Sequence, residues 1–426
     1  MVKATFHILG SSKPLSGNIE VYGAKNDILK GLASVLLTSG DITYKNIPKI
    51  EDVDRTIELL GSLGVLTKEK GARSLVLNAA RINGHTLKRD IAEQIRASIV
   101  LAGPLLARSG KVRFPYPGGC VLGKRPIDLF VHGWRAMGAR MRMIGDEYEF
   151  SAKHLHGADI TFYKVSVTGT EAMMLTAVLA HGTTILRNSA LEPEIPHLAE
   201  FLNSLGARIT GAGTPTISIE GTGGKLLSGA GTFVTLPDRI EAGSFAALVA
   251  ARGGKVKIIN CDPEQLAVPI EILREIGAVV TVGKDFIIVE RKVKLKSIDM
   301  IKTREYPGFP TDLQAPFTVL LTQAHGASLV FETIFEGRLS YIDDLNRMGA
   351  YITACDPHRI LVSGPTELHG RLMESPDIRA GLAFIIAAAI AKGQSILDGV
   401  YKIDRGYEDI EKRLRSIGVD IERKKS

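Results

Sequence analysis

The sequence predicts an α/β fold of two similar domains, each built from three copies of one helix–strand–helix–strand unit whose first helix is buried on all sides. Three observations predict it: a glycine that recurs six times at near-constant spacing, a second glycine series between those positions, and a contrast between two kinds of helix.

The first series is a short apolar segment ending in glycine and a small residue. It recurs as Leu63-Gly64-Val65, Met137-Gly138-Ala139, Leu205-Gly206-Ala207, Ile276-Gly277-Ala278, Met348-Gly349-Ala350 and Ile417-Gly418-Val419, with glycine spacings of 74, 68, 71, 72 and 69. Each reads as a helix C-terminus closed by glycine and feeding a strand. The second series is Gly40, Gly110, Gly182, Gly254, Gly326 and Gly393. Each follows a stretch rich in Ala, Leu, Ile and Val and precedes a strand-like run such as Lys255-Val256-Lys257-Ile258-Ile259. One unit therefore takes about 71 of the 426 residues.

The two helices of a unit differ in pattern. The second is amphipathic, as in Asp344-Leu345-Asn346-Arg347-Met348, whereas the first is apolar nearly all round, as in Gly381-Leu382-Ala383-Phe384-Ile385-Ile386-Ala387. A helix apolar on every side is buried on every side. Sheets and amphipathic helices must then wrap these helices, and three units per domain put the division near Thr235-Leu236-Pro237.

Counting back 14 or 15 residues from each glycine of the second series gives the starts of the buried helices: Lys25, Arg96, Thr168, Arg239, Asp312 and Arg379. Four of the six are cationic, the wrong sign for a helix N-terminus. One such residue would be an exposed first-turn side chain. Four at equivalent positions point to function, since a local rule broken in register marks a site. Equivalent helix starts should gather at one end of each domain, where cations and free N–H groups together bind anions. Two such ends facing each other would form a cleft for highly phosphorylated ligands.

Composition agrees with a soluble two-domain protein: 45% hydrophobic and 23% charged residues, with a net charge of +7. The positive charge suits anionic substrates. Nucleic acid is a poor partner, because aromatics make up 6% and no Lys/Arg run is interleaved with them. The longest apolar run, Leu382 to Ala391, is too short to span a bilayer. Met1-Val2-Lys3-Ala4-Thr5-Phe6 lacks the apolar stretch of a signal peptide. The three cysteines, Cys120, Cys261 and Cys355, form neither a disulfide framework nor a metal-ligand spacing. A protein of the reducing cytoplasm is the expectation.

The segments Gly23-Ala24-Lys25-Asn26, Pro117-Gly118-Gly119-Cys120, Arg125-Pro126-Ile127-Asp128-Leu129, Pro307-Gly308-Phe309-Pro310-Thr311-Asp312 and Asp404-Arg405-Gly406-Tyr407 occur in that order. With them the chain resembles the UDP-N-acetylglucosamine 1-carboxyvinyltransferase family over nearly its whole length. Each tetrapeptide alone is a weak signal; the ordered set on a six-fold repeat is specific. The resemblance implies a pair of inside-out α/β barrels, shared with the shikimate-pathway enolpyruvyl synthase. It implies that residues 1–20 join residues 236–426 in a C-terminal domain, with 21–235 as the N-terminal domain. It also implies the reaction. The 3′-hydroxyl of UDP-N-acetylglucosamine attacks C2 of phosphoenolpyruvate while C3 is protonated, and phosphate leaves from the tetrahedral intermediate; the reaction so implied needs no metal and no cofactor.

The resemblance further implies residue roles. Cys120, in its glycine-rich loop, is the general acid or assists product release, and is alkylated by the epoxide fosfomycin. Lys124 and Arg125 just downstream would favour its thiolate. Asp312 contacts the sugar 3′-hydroxyl as base; its position also reads as a plain helix cap. Lys25, Arg125 and Arg379 match clamps for the phosphate and carboxylate of phosphoenolpyruvate, and Arg96 and Arg338 match further cationic positions. Asn26, Pro126, Asp128, Leu129, Lys164, Val165, Ser166, Gly169 and Ile334 match positions lining the UDP-sugar pocket. Cys261 and Cys355 read as buried or incidental. The chain departs from the family at Phe130, where many members have His, and at Val100, where some have an aromatic. Asp27 and Lys30 also interrupt a stretch that is usually Ala-rich and ends in Pro. Two other readings stand beside this one: transfer to another acceptor, shikimate 3-phosphate, against which the Pro-Gly-Gly-Cys loop argues, and a non-catalytic nucleotide-sugar-binding paralogue.

Overall fold

The structure, a computed structural model, describes residues 4–118 and 126–425. Cys120 and Arg125 lie between these segments, outside the described residues. The described residues divide into two units. One holds the chain up to Tyr22 and again from Pro237 onward; the other runs from Gly23 to Leu236.

Three buried helices form the centre of each unit. In the Gly23–Leu236 unit they are Lys25–Ser34, Ser98–Ser109 and Val167–Ala177. In the other they are Arg239–Arg252, Gln314–Leu321 and Ile378–Ile390, which pack on one another. Every residue of Arg239–Arg252 is buried, and so is each from Arg379 to Ala389. Small Ala and Gly residues let the helices approach closely while Leu, Ile and Phe fill the space between them. Asp238 caps one helix, its Oδ1 accepting from the N–H groups of Ile240 (2.8 Å) and Glu241 (3.1 Å). Asp377 caps another through Arg379 N–H (2.7 Å) and Ala380 N–H (3.1 Å). Such caps satisfy donors that a buried helix end would otherwise leave unpaired.

Six small sheets wrap these helices, three in each unit. The N-terminal strands belong to the unit that contains the C-terminus. Ala4–Leu9 lies antiparallel between Gln394–Asp398 and Asp420–Lys425, and Leu15–Glu20 pairs in parallel with Gly254–Ile259. Amphipathic helices fill the outer layer: Glu51–Ser62, Asp128–Ala136 and Glu194–Ser204 in one unit, and Ala267–Ile276, Ile342–Arg347 and Ile410–Arg415 in the other. The recurring glycine explains the repeat. Gly64, Gly138, Gly206, Gly277, Gly349 and Gly418 all sit at positive φ, between 94° and 112°. A side chain there would be strained, so glycine ends each outer helix and turns the chain into the next strand.

Within the unit that holds both termini, buried charge fixes the chain at Glu20 and Tyr22. Arg413 donates to both oxygens of Glu241 (2.6 and 2.7 Å) and to the Glu20 carbonyl, and its guanidinium stacks 3.8 Å from the Tyr22 ring centroid. Glu241 also accepts from Tyr22 N–H at 2.9 Å. Removing one member of such a pair leaves the other buried and unpaired, at a cost of about 3–5 kcal/mol.

The departures at Asp27 and Lys30 carry a second buried network. Asp27 accepts from Leu236 N–H and meets His197 Nδ1, both at 2.8 Å. Lys30 donates to the Asn26 carbonyl at 2.7 Å and pairs with Glu171 at 3.2 Å. Burial pushes the Glu171 carboxyl up to about 8, against the pull of Lys30. Between the ordinary value of 4.5 and about 8, the unfolded chain has released this proton while the folded chain holds it. Stability therefore falls as pH rises through that window. Glu171→Gln is expected to raise the urea midpoint at pH 8 and leave it nearly unchanged at pH 5. A loss at pH 8 would show that the charge pair with Lys30 outweighs burial.

Candidate active site

The helix starts predicted from the repeat carry candidate site residues, with two shifts. Lys25, Arg239 and Arg379 stand at or one residue inside a helix start. Arg96 lies ahead of its helix, which begins at Ser98, because the short helix Arg89–Ala92 comes first. Asp312 is not a cap: it sits inside the 3-10 turn Thr311–Leu313 and makes no capping bond. Its carboxylate has better partners than backbone N–H groups.

Those partners are two arginines. Asp312 Oδ1 lies 2.8 Å from Arg338 Nη2 and Oδ2 lies 2.9 Å from Arg379 Nε. The guanidiniums are nearly buried, at 5% and 8% side-chain exposure, while Asp312 keeps 24%. Burial opposes ionisation of Asp312, but the two guanidiniums outweigh it and hold the carboxyl far below the usual range. Each arginine is also held elsewhere. Arg379 Nη1 donates to the Tyr407 hydroxyl at 2.8 Å, and Arg338 Nη1 donates to Thr311 Oγ1 at 2.7 Å. Thr311 in turn donates to Glu332 Oε2 at 2.8 Å. Glu332 is fully buried, and its Oε1 accepts from Ile334 N–H (2.8 Å), Phe335 N–H (3.1 Å) and Thr303 Oγ1 (3.1 Å). Sequence reasoning missed Glu332 and Thr311 as supports and gave Tyr407 no role, although Thr311 and Tyr407 lie within quoted motifs. Glu332, in Phe331-Glu332-Thr333, carries no local signal.

The Gly23–Leu236 unit presents its own set. Lys25 Nζ lies 2.6 Å from Asp52 Oδ2, and Asn26 follows in the first turn. Arg96 donates to the Pro117 carbonyl at 3.1 Å and reaches toward the Pro126 carbonyl at 3.5 Å, so one guanidinium bridges these two residues. Gly118 is required there, because a Cβ would lie 1.7 Å from the Glu93 carbonyl oxygen. Asp128 opens the helix Asp128–Ala136 and accepts from the Tyr163 hydroxyl. Ser166 caps the helix Val167–Ala177, its Oγ accepting from Gly169 N–H at 3.1 Å, with Lys164 and Val165 just before it. Leu129 and Phe130 face the core, Phe130 against Trp134 with ring centroids 5.9 Å apart. Neither side chain is presented to solvent. Val100 is buried inside its helix. A cavity of about 940 Å³ opens beside Pro126, Ile127 and Asp128, with Tyr116, Arg135 and Tyr148 on its walls. Cys261 is buried and its thiol is pushed up to about 11; Cys355 is exposed.

The fold is that of the enolpyruvyl transferases. The crystal structure of the enolpyruvyl transferase NikO from Streptomyces tendae matches with a TM-score of 0.90 at 22% identity, covering 100% of both chains. EPSP synthase from Acinetobacter baumannii matches with a TM-score of 0.77 at 20% identity, over 99% of this chain and 100% of that one. The family pattern of EPSP synthase (3-phosphoshikimate 1-carboxyvinyltransferase) matches residues 9–414. Identity is higher to the UDP-N-acetylglucosamine 1-carboxyvinyltransferase of Acidobacterium capsulatum, at 42% over 421 residues, 98% of this chain and 95% of the relative. That of Idiomarina loihiensis is 41% identical over 419 residues, 98% and 99% of the two chains. The chain belongs to the UDP-N-acetylglucosamine 1-carboxyvinyltransferase family.

Proposed function

We propose that this chain transfers the enolpyruvyl group of phosphoenolpyruvate to the 3′-hydroxyl of UDP-N-acetylglucosamine, in the cytoplasm, as a step of peptidoglycan synthesis. The observation that carries this reading is full-length identity of 41–42% to enzymes bearing that name. The Asp312–Arg338–Arg379 cluster supports it, since the reaction needs a carboxylate beside cations that accept a phosphorylated acid.

In the addition step the sugar oxygen bonds to C2 of phosphoenolpyruvate, the hydroxyl proton passes to Asp312, and C3 gains a proton from an acid. In the elimination step C3 returns a proton to the conjugate base of that acid, the bond between C2 and the bridging oxygen of the phosphate breaks, and inorganic phosphate leaves as the double bond re-forms. Lys25, Arg125 and Arg379 hold the anionic groups of phosphoenolpyruvate, and Arg96 and Arg338 add positive charge nearby. Asn26, Pro126, Asp128, Leu129, Lys164, Val165, Ser166, Gly169 and Ile334 hold the UDP-sugar. The free N–H groups at the starts of the Asp128 and Val167 helices suit its diphosphate. Cys120, outside the described residues, supplies the acid or aids product release. Among the described residues no helix is long and apolar enough to cross a membrane. Incubation with both substrates and mass spectrometry of the nucleotide sugar tests the reading: the enolpyruvyl ether is expected, and unchanged UDP-N-acetylglucosamine would refute it.

A further inference from the structure

Asp312 poses a chemical difficulty for the role just proposed. A general base works best with a pKa near the working pH. Asp312 is held far below that by Arg338 and Arg379, each within 2.9 Å of a carboxylate oxygen. In this arrangement it would be a poor proton acceptor.

The surroundings suggest how it becomes a better one. The two guanidiniums do not depend on Asp312 for their positions. Arg379 is anchored by the Tyr407 hydroxyl and lies over its ring at 5.4 Å, with the buried cap Asp238 contributing charge from the neighbouring helix. Arg338 is anchored by Thr311, whose hydroxyl is itself oriented by Glu332. Asp312 is the most exposed member of the cluster and is held only through its carboxylate and its turn. Arginine forks bind carboxylate and phosphate alike. An incoming anion therefore meets two fixed guanidiniums whose present partner is the more replaceable one.

We propose that Asp312 is a stand-in anion: phosphoenolpyruvate displaces it from Arg379 and Arg338, and this exchange is what frees the carboxylate to act as a base. The inference rests on the reading of Asp312 as the base for the sugar hydroxyl. It couples binding to activation, because the proton acceptor gains strength only when the second substrate has taken over its cations. Before that, the cluster is charge-compensated and the base is idle.

The exchange has a measurable consequence for binding as well as for turnover. Removing the charge of Asp312 should strengthen binding of the anion while it weakens turnover. Asp312→Asn keeps the shape and removes the charge; Asp312→Ser is a second variant in case the amide makes new bonds to the arginines. Titration calorimetry with phosphoenolpyruvate alone, in the full chain, is expected to give binding about fivefold tighter or more than wild type, the scale of removing one competing charge a few ångströms away. Steady-state assays on the same proteins are expected to show turnover falling. Reduced turnover with unchanged or weaker phosphoenolpyruvate binding in both variants would overturn the exchange and leave the base assignment standing. Near-normal turnover in both would overturn the base assignment itself.

Discussion

Asp312→Ala is expected to fold normally and to turn over roughly a hundredfold or more slowly than wild type, the scale of a positioned general base. The loss should fall on kcat. The KM for phosphoenolpyruvate should not rise, because Arg379 and Arg338 keep their anchors on Tyr407 and Thr311 when the carboxylate is gone. Alanine leaves both guanidiniums nearly buried without their shared counter-charge, so some stability should also be lost. Circular dichroism and a denaturation midpoint separate that loss from the catalytic one. Near-normal turnover in the folded variant would remove Asp312 from the mechanism.

Cys120 carries the second large effect. Cys120→Ala should lose most turnover, whereas Cys120→Asp should keep activity, because it retains a protonatable group, and should resist fosfomycin, because it lacks the soft nucleophile. The phosphonate of that epoxide should dock on the cations proposed to hold the phosphate of phosphoenolpyruvate: Lys25, Arg125 and Arg379. In the wild-type chain the adduct should form on Cys120 alone, and faster with UDP-N-acetylglucosamine present. Cys261 is buried with its thiol pushed up to about 11, so it holds little thiolate. Cys355 is exposed, which makes it the informative control. Peptide mapping that found the adduct on Cys355, or labelling indifferent to the sugar nucleotide, would overturn the assignment.

The parts of the fold that could be read from sequence are those with a local cause. A glycine forced to positive φ at the end of each outer helix must recur with the repeat, so its spacing exposed the architecture. A helix apolar on every side could only be a central one, as Arg239–Arg252 is. The helix starts were placed well where the unit is regular, at Lys25, Arg239 and Arg379. They slipped where an extra turn intervenes: the helix Arg89–Ala92 ahead of Arg96, and the 3-10 turn that holds Asp312.

What could not be read has a non-local cause. The pairing of Lys25 with Asp52 joins two helices, and Asp312, Arg338 and Arg379 come from three separate segments. Glu332 is buried among donors from the Thr303 and Thr311 segments, yet its immediate neighbours in sequence look like any strand end. Arg96 illustrates the same limit differently. The repeat marked it as an anion-site cation, and the structure also gives it a mechanical task, bonding to Pro117 and reaching toward Pro126.

The choice of acceptor is the central claim, and one measurement bears on it most directly: phosphate release from phosphoenolpyruvate, followed with either UDP-N-acetylglucosamine or shikimate 3-phosphate as acceptor. Rapid release with UDP-N-acetylglucosamine, slowed roughly a hundredfold or more in Asp312→Ala, and none above background with shikimate 3-phosphate is the expected result. Release that depends on shikimate 3-phosphate, or on neither acceptor, would contradict the account.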